Sequence, residues 1–145
     1  MSARSIGYDD QLALRELLVG RRIVETRKST AKAESWSDEM NAVEFVLDDG
    51  QVLKAIATDG GCACSNGCWS VENPDVVAPD QIITGVETAE DLDGEWSTHG
   101  DGSATLRLFV YAAGIKSEIV RSEGGDNGYY GWGYALLVET PEQDR

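Results

Sequence analysis

The stretch Asn41-Ala42-Val43-Glu44-Phe45-Val46-Leu47-Asp48-Asp49-Gly50-Gln51-Val52-Leu53-Lys54-Ala55-Ile56-Ala57-Thr58 decides how this chain folds. Val43, Phe45 and Leu47 alternate with Glu44 and Asp48, the two-residue period that turns one side of a strand toward a core. Asp49-Gly50 then supplies a turn, since glycine takes up the positive φ that tight hairpins need, and Val52 to Thr58 runs back. A β-hairpin with one half-buried face is expected. Its register is set by which side chains must leave water.

Outward from the hairpin, Arg21 to Thr26 reads as a strand and Gln11 to Val19 as a short amphipathic helix. Asp9 or Asp10 can cap that helix, Gly20 stands at its stop position, and Leu14, Leu17 and Leu18 share one side. Residues 1–8 read as a flexible, polar N-terminus, and 27–40, rich in Ser, Lys and Glu, as a mobile loop. Downstream, Gln81 to Thr88 reads as a strand. An exposed loop from Ala89 to Gly102 follows, with Asp91, Asp93, Glu95, Asp101 and the sole histidine, His99. Ser103 to Ala113, Ile115 to Ser122 and Tyr129 to Glu139 then read as three strands in series, a meander. Thr140 to Arg145 is a polar tail. With no internal repeat and no long linker, the expectation is a single α+β domain over residues 1–145. It is β-rich, one strongly twisted antiparallel sheet or small barrel with one short N-terminal helix against it.

At 145 residues the chain has the size of one ordinary domain, and 41% hydrophobic residues suffice for a core. Its formal charge of −14 is unevenly spread. Residues 1–32 carry seven basic against four acidic side chains, and the remainder five against 22. A field of that sign repels nucleic acid and anionic membrane and attracts basic protein surfaces. It therefore argues against direct nucleic-acid binding and for a protein partner, or simply for solubility. No run of about 18 apolar residues and no secretory hydrophobic segment is present, which points to a soluble, intracellular protein without a membrane. The cysteine number is odd, three, and all lie within seven residues, unlike a secreted disulfide framework.

Those cysteines sit in Asp59-Gly60-Gly61-Cys62-Ala63-Cys64-Ser65-Asn66-Gly67-Cys68-Trp69. Thiolates at such spacing can share a soft metal ion; zinc would take a fourth ligand from His99, Asp59 or Asp75. The single run lacks the second paired knuckle of common zinc modules, so a labile disulfide and plain free thiols are alternatives, and no cofactor is the default expectation. Catalysis by a thiol would need a base held against it, and His99 lies in a different loop. The acidic pairs follow from 26 carboxylates and match no calcium loop. No catalytic set is assigned.

Gly124-Gly125-Asp126-Asn127-Gly128-Tyr129-Tyr130-Gly131-Trp132-Gly133-Tyr134 packs five glycines and four aromatics into eleven residues. Tyr130, Trp132 and Tyr134 alternate with glycine on one side of a strand, Tyr129 pointing the other way, and are either core or an exposed platform. Trp36, within a polar segment, has few apolar neighbours and is a candidate surface anchor. Trp36, Tyr129, Tyr130 and Trp132, with Asp91, Asp93 and Glu95, are the candidate partner-binding residues.

The order of features adds a resemblance. Leu17-Leu18-Val19-Gly20-Arg21-Arg22-Ile23-Val24, the Asp48-Asp49-Gly50 turn between strands, the cysteine-bearing turn at 59–68, Ile82-Ile83-Thr84-Gly85-Val86-Glu87 and Gly125-Asp126-Asn127-Gly128-Tyr129-Tyr130-Gly131 together resemble a family of small uncharacterised proteins. These occur mainly in bacteriophages, especially those of actinobacteria, and carry a domain-of-unknown-function label. The resemblance spans roughly residues 12 to 139; Cys68 departs from the family's adjacent cysteines. It implies a phage origin and a compact β-rich fold, and supplies no activity or catalytic residues. The combined expectation is a non-catalytic phage accessory protein in the host cytoplasm, binding a host or phage protein through an acidic and aromatic surface. The alternatives are a virion structural or decoration protein, with homo-oligomers possible, and a metal-dependent ligand binder using Cys62, Cys64, Cys68 and His99.

Overall fold

In a computed structural model, residues 2–32, 39–57, 70–93, 102–126 and 134–141 are described. The elements run β1 (Ser2–Ile6), α1 (Gln11–Leu18), β2 (Ile23–Ala31), β3 (Met40–Leu47), β4 (Val52–Ala57), β5 (Ser70–Glu72), β6 (Ile83–Asp93), β7 (Gly102–Ala112), β8 (Ile115–Asp126) and β9 (Tyr134–Thr140). They form two antiparallel sheets, a five-stranded one in the order β1-β9-β4-β3-β2 and a four-stranded one in the order β5-β8-β7-β6. The fold is β-rich α+β, and it is two sheets rather than one sheet or a barrel.

The hairpin pairs as its alternation requires, Phe45 opposite Leu53 and Val43 opposite Ala55, and Gly50 takes a φ of 89° at the turn. Directly opposed residues share a face, so Val43, Phe45, Leu53, Ala55, Leu136 and Val138 line the inner side of the five-stranded sheet. Facing them are Val86, Leu106, Leu108, Val110 and Val120 of the four-stranded sheet, and all belong to one core cluster. Leu14, Leu17 and Leu18 of α1 join the same cluster. Each fully buried aliphatic side chain is worth about 1.5–3 kcal/mol of transfer free energy.

Four segments differ from the sequence reading. The flexible N-terminus contains β1, paired along β9 from Ser2 opposite Thr140 to Ile6 opposite Leu136. The strand read from Arg21 to Thr26 runs on to Ala31, so residues 27–31 of the mobile loop are strand, while 33–38 lie outside the described residues; the polar composition of β2 suits an edge, where one side faces water. β6 extends to Asp93 through residues read as loop, because Thr88 to Asp93 remain in register with β7 despite their charge. Finally, β7 and β8 form the expected hairpin, but β9 leaves the meander and inserts between β4 and β1, taking Thr140 of the polar tail with it. The alternating Tyr134, Leu136 and Val138 bury there, whereas the hairpin's return strand is buried on both sides: Val52, Leu53, Ala55, Ile56 and Ala57 are all inaccessible. A strand flanked by β3 and β9 reads as a nearly continuous apolar run for that reason.

α1 follows its local signals closely. Asp10 is the N-cap, its carboxylate accepting the Ala13 N–H at 3.1 Å, and Gly20 beyond the helix has a φ of 87°. From there the chain closes on the other sheet: Gly20 N–H donates to Ile83 O at 2.8 Å and Ile83 N–H to Arg21 O at 2.9 Å.

A bulge interrupts β8 between its pairs with Leu108 and Phe109, leaving Ile119 as the extra residue. Asn73 and Asp75 clamp it. The Asn73 amide donates to Ile119 O at 2.7 Å, Asp75 Oδ2 accepts Glu118 N–H at 2.8 Å, and Asp75 N–H donates to Glu118 O at 2.9 Å.

Candidate functional site

β6 is an edge strand whose last residues carry three acidic side chains, Glu90, Asp91 and Asp93. Pairing with β7 sets their faces. Thr88 and Glu90 stand opposite Leu108 and Leu106 on the inner side, while Ala89 and Asp91 stand opposite Arg107 and Thr105 on the outer side. The turn between β1 and α1, closed by Asp10 N–H to Gly7 O at 3.0 Å, brings Tyr8 against this end. The Tyr8 hydroxyl donates to Glu90 Oε1 at 3.1 Å, and its ring packs against Tyr134 at 5.8 Å between centroids, tilted by 42°. Tyr8, Asp9, Thr88, Ala89, Glu90 and Arg107 enclose a recess of about 200 Å³.

Burial raises the Tyr8 phenol far above its ordinary range, and the charge of Glu90, the hydrogen bond to it and Asp9 push it the same way. Tyr134 is raised as well, first by burial and then by Tyr8 and Asp9; among the described residues its hydroxyl has no hydrogen-bond partner. Both phenols stay protonated at neutral pH, and Tyr8 acts as the hydrogen-bond donor to Glu90. Arg107 reaches Asp91 at 3.5 Å and, through Nε, Glu118 at 3.4 Å, ion-pair range without hydrogen-bond geometry in the second case. Glu118 is buried and also takes two hydrogen bonds from Arg121, at 3.1 and 2.7 Å, which raise the Arg121 guanidinium still higher. With Arg107, the one cation lining the recess among the described residues, flanked by Asp91 and Glu118, Asp9 and Glu90 give the mouth a negative balance. The arrangement can receive a basic or hydrogen-bond-donating group.

Of the residues singled out in the sequence, Asp91 is exposed on the outer face beside this recess and Asp93 closes β6. Trp36, Glu95, Tyr129, Tyr130 and Trp132 lie outside the described residues, as do Cys62, Cys64, Cys68, His99, Asp59 and Asp101. Asp75, a possible fourth zinc ligand, clamps the β8 bulge. Among the described residues no group of three or more His, Cys, Asp or Glu side chains is placed to hold a metal ion. Tyr8, Glu90 and Arg107 escaped the sequence reading. Gly7 ahead of Tyr8 and the Asp10 cap were the available signal, since together they fix a turn and so give Tyr8 one direction.

Fold and recess define an α+β domain of two antiparallel sheets with an acidic, tyrosine-bearing surface. A family model described as a domain of unknown function (DUF7448) matches residues 16–136, and the chain belongs to that family. No curated protein and no solved structure matches it. Among the described residues no helix is long and apolar enough to cross a membrane.

Proposed function

We propose that this is a non-catalytic phage accessory protein that binds a host or phage protein, with the Tyr8–Glu90 recess receiving a basic side chain of that partner. One observation carries the reading: a phenol donating to Glu90 in a recess that Asp9 also lines, on a chain of net charge −14. A guanidinium or ammonium group entering the recess meets carboxylates at its mouth and aromatic surface from Tyr8, contacts that strengthen as water leaves. The long-range field adds speed, since a basic partner is steered toward an acidic surface. The phage assignment is supported by the late Asn127-Gly128-Tyr129-Tyr130 signature and the order of motifs around it.

The test is a nuclease-treated pull-down from uninfected and infected host cells with the intact protein and a double variant, Asp9→Lys with Glu90→Lys. The expected outcome is one enriched protein, released by raised salt and lost with the variant. Enrichment indifferent to the charge reversal overturns the recess as the site, and recovery of virion proteins alone would move the assignment to a particle component.

A further inference from the structure

A further recess, about 450 Å³, lies where the four-stranded sheet stops short of β2; Lys28, Val43, Val71, Asn73 and Pro74 are among its walls. Its upper border is a strand edge. β2 closes the order of the five-stranded sheet, and after Arg21 its outer side has no strand partner among the described residues.

Which backbone groups face that open side follows from the register. Leu47 N–H donates to Gln51 O, so Leu47, Phe45 and Val43 turn their polar groups toward β4, and Val46, Glu44 and Ala42 turn theirs toward β2. Glu25, Arg27 and Ser29, opposite the latter three, bond to β3, which leaves the N–H and C=O groups of Thr26, Lys28 and Thr30 directed outward. The same three residues stand opposite Phe45, Val43 and Asn41, on the inner side of the sheet above the recess. A strand laid along this edge would pair with Thr26, Lys28 and Thr30, and its own residues at those positions would point into the recess.

Charge narrows what such a strand carries. Arg27, on the opposite side of β2, is paired with Glu44 at 3.0 Å, whereas Lys28 has no ion pair among the described residues. Glu72 borders the recess, but its register sets it opposite Arg121 on the outer side of the four-stranded sheet. Lys28 also belongs to the basic opening of the chain, seven cationic against four acidic side chains over residues 1–32.

We propose that the free edge of β2 is a strand-addition site for an extended acidic segment of a partner protein, with a carboxylate opposite Lys28 and apolar neighbours over Val43 and Val71. It rests on the protein-partner reading above and adds a second, oppositely charged contact to it. The probe is a capped peptide, Val-Thr-Val-Thr-Glu-Thr-Val-Thr-Val, whose valines share a face with the central Glu, compared with the same peptide carrying Lys there, both titrated into the ¹⁵N-labelled protein.

The Glu peptide is expected to perturb and protect the amides of Thr26, Lys28 and Thr30, and to bind about fivefold more tightly than the Lys peptide. Lys28→Glu should reverse that preference. Thr30→Pro removes an outward N–H without touching the β3 ladder, so the variant should keep its Tm and lose the peptide. Equal binding of the two peptides, no binding at millimolar concentration, or perturbation elsewhere overturns the proposal. A monomer–dimer equilibrium abolished by Thr30→Pro would give the edge to a second copy and overturn it too. Partner capture that is lost with the charge-reversed recess yet survives Thr30→Pro leaves the partner reading intact and removes this site alone.

Discussion

The two long edge strands, β6 and β2, come from similar polar sequence and are treated in opposite ways. β6 is capped at two points. Gly20 and Arg21 bond to Ile83, and the Gln11 side chain accepts from Thr88 N–H at 3.2 Å and from its hydroxyl at 3.3 Å. Glu87 also reaches across the sheet to Tyr111 at 2.9 Å and to Lys116 at 2.6 Å. β2 has no such cap among the described residues, and Glu25, Arg27 and the inward Lys28 lie along it. An open edge invites other strands, and inward-pointing charges are one way natural sheets discourage indiscriminate pairing. Among the described residues α1 covers one edge and no element covers the other, where the inward Lys28 is the feature that would make pairing selective under the strand-addition proposal.

The harshest way to break this contrast is Leu18→Ala. Leu18 is fully buried on the helix that covers β6, and its loss is expected to cost about 2–5 kcal/mol. Chemical denaturation would show the loss, and hydrogen exchange should show β6 amides opening before those of β4. A milder variant sharpens it: Gln11→Ala uncovers the two Thr88 donors, the N–H and the hydroxyl, at about 0.5–1.5 kcal/mol. Faster exchange at Thr88 with Thr30 unchanged is the expected pattern; equal acceleration at both would mean the two edges are coupled.

The smallest effect is acid-dependent. The hydrogen bond from Lys116, then that from Tyr111, holds Glu87 below the ordinary carboxylate range, and the same Lys116 contact raises the amine. A depressed folded-state value means that this contribution is complete above about pH 4.3, the unfolded value, and is lost as pH falls through the lower folded one. The raised lysine works at the other end, lost only as pH climbs through its folded value. Both groups are exposed, so the effect is modest. Glu87→Gln should flatten the acid side of the Tm profile and leave the neutral region nearly unchanged.

These regions also show what could be read from the sequence. The hairpin and α1 were legible because local signals agree: alternation with Asp49-Gly50 in one, Asp10, three leucines and Gly20 in the other. Ser2–Ile6 was not, since a short polar segment becomes a strand only through its partner, β9, more than 120 residues away in the chain. β9 itself was recognised as a strand but placed beside β8, because nothing local distinguishes one apolar-alternating neighbour from another. Beside the recess, the acidity of Asp91 drew notice in the sequence, whereas the recess itself was not legible, because Tyr8, Glu90 and Arg107 come together only through contacts between distant segments.

The insertion of β9 between β1 and β4 also governs the order in which the protein can be made. On the ribosome the β3–β4 and β7–β8 hairpins can zip as soon as they emerge, each closing a short loop. β1, made before every other element described, must wait until Tyr134–Thr140 has cleared the exit tunnel before it finds its ladder with β9. Until then the inner surface of β4 is bordered on one side only, and the nascent chain carries an exposed apolar seam of the kind that chaperones recognise.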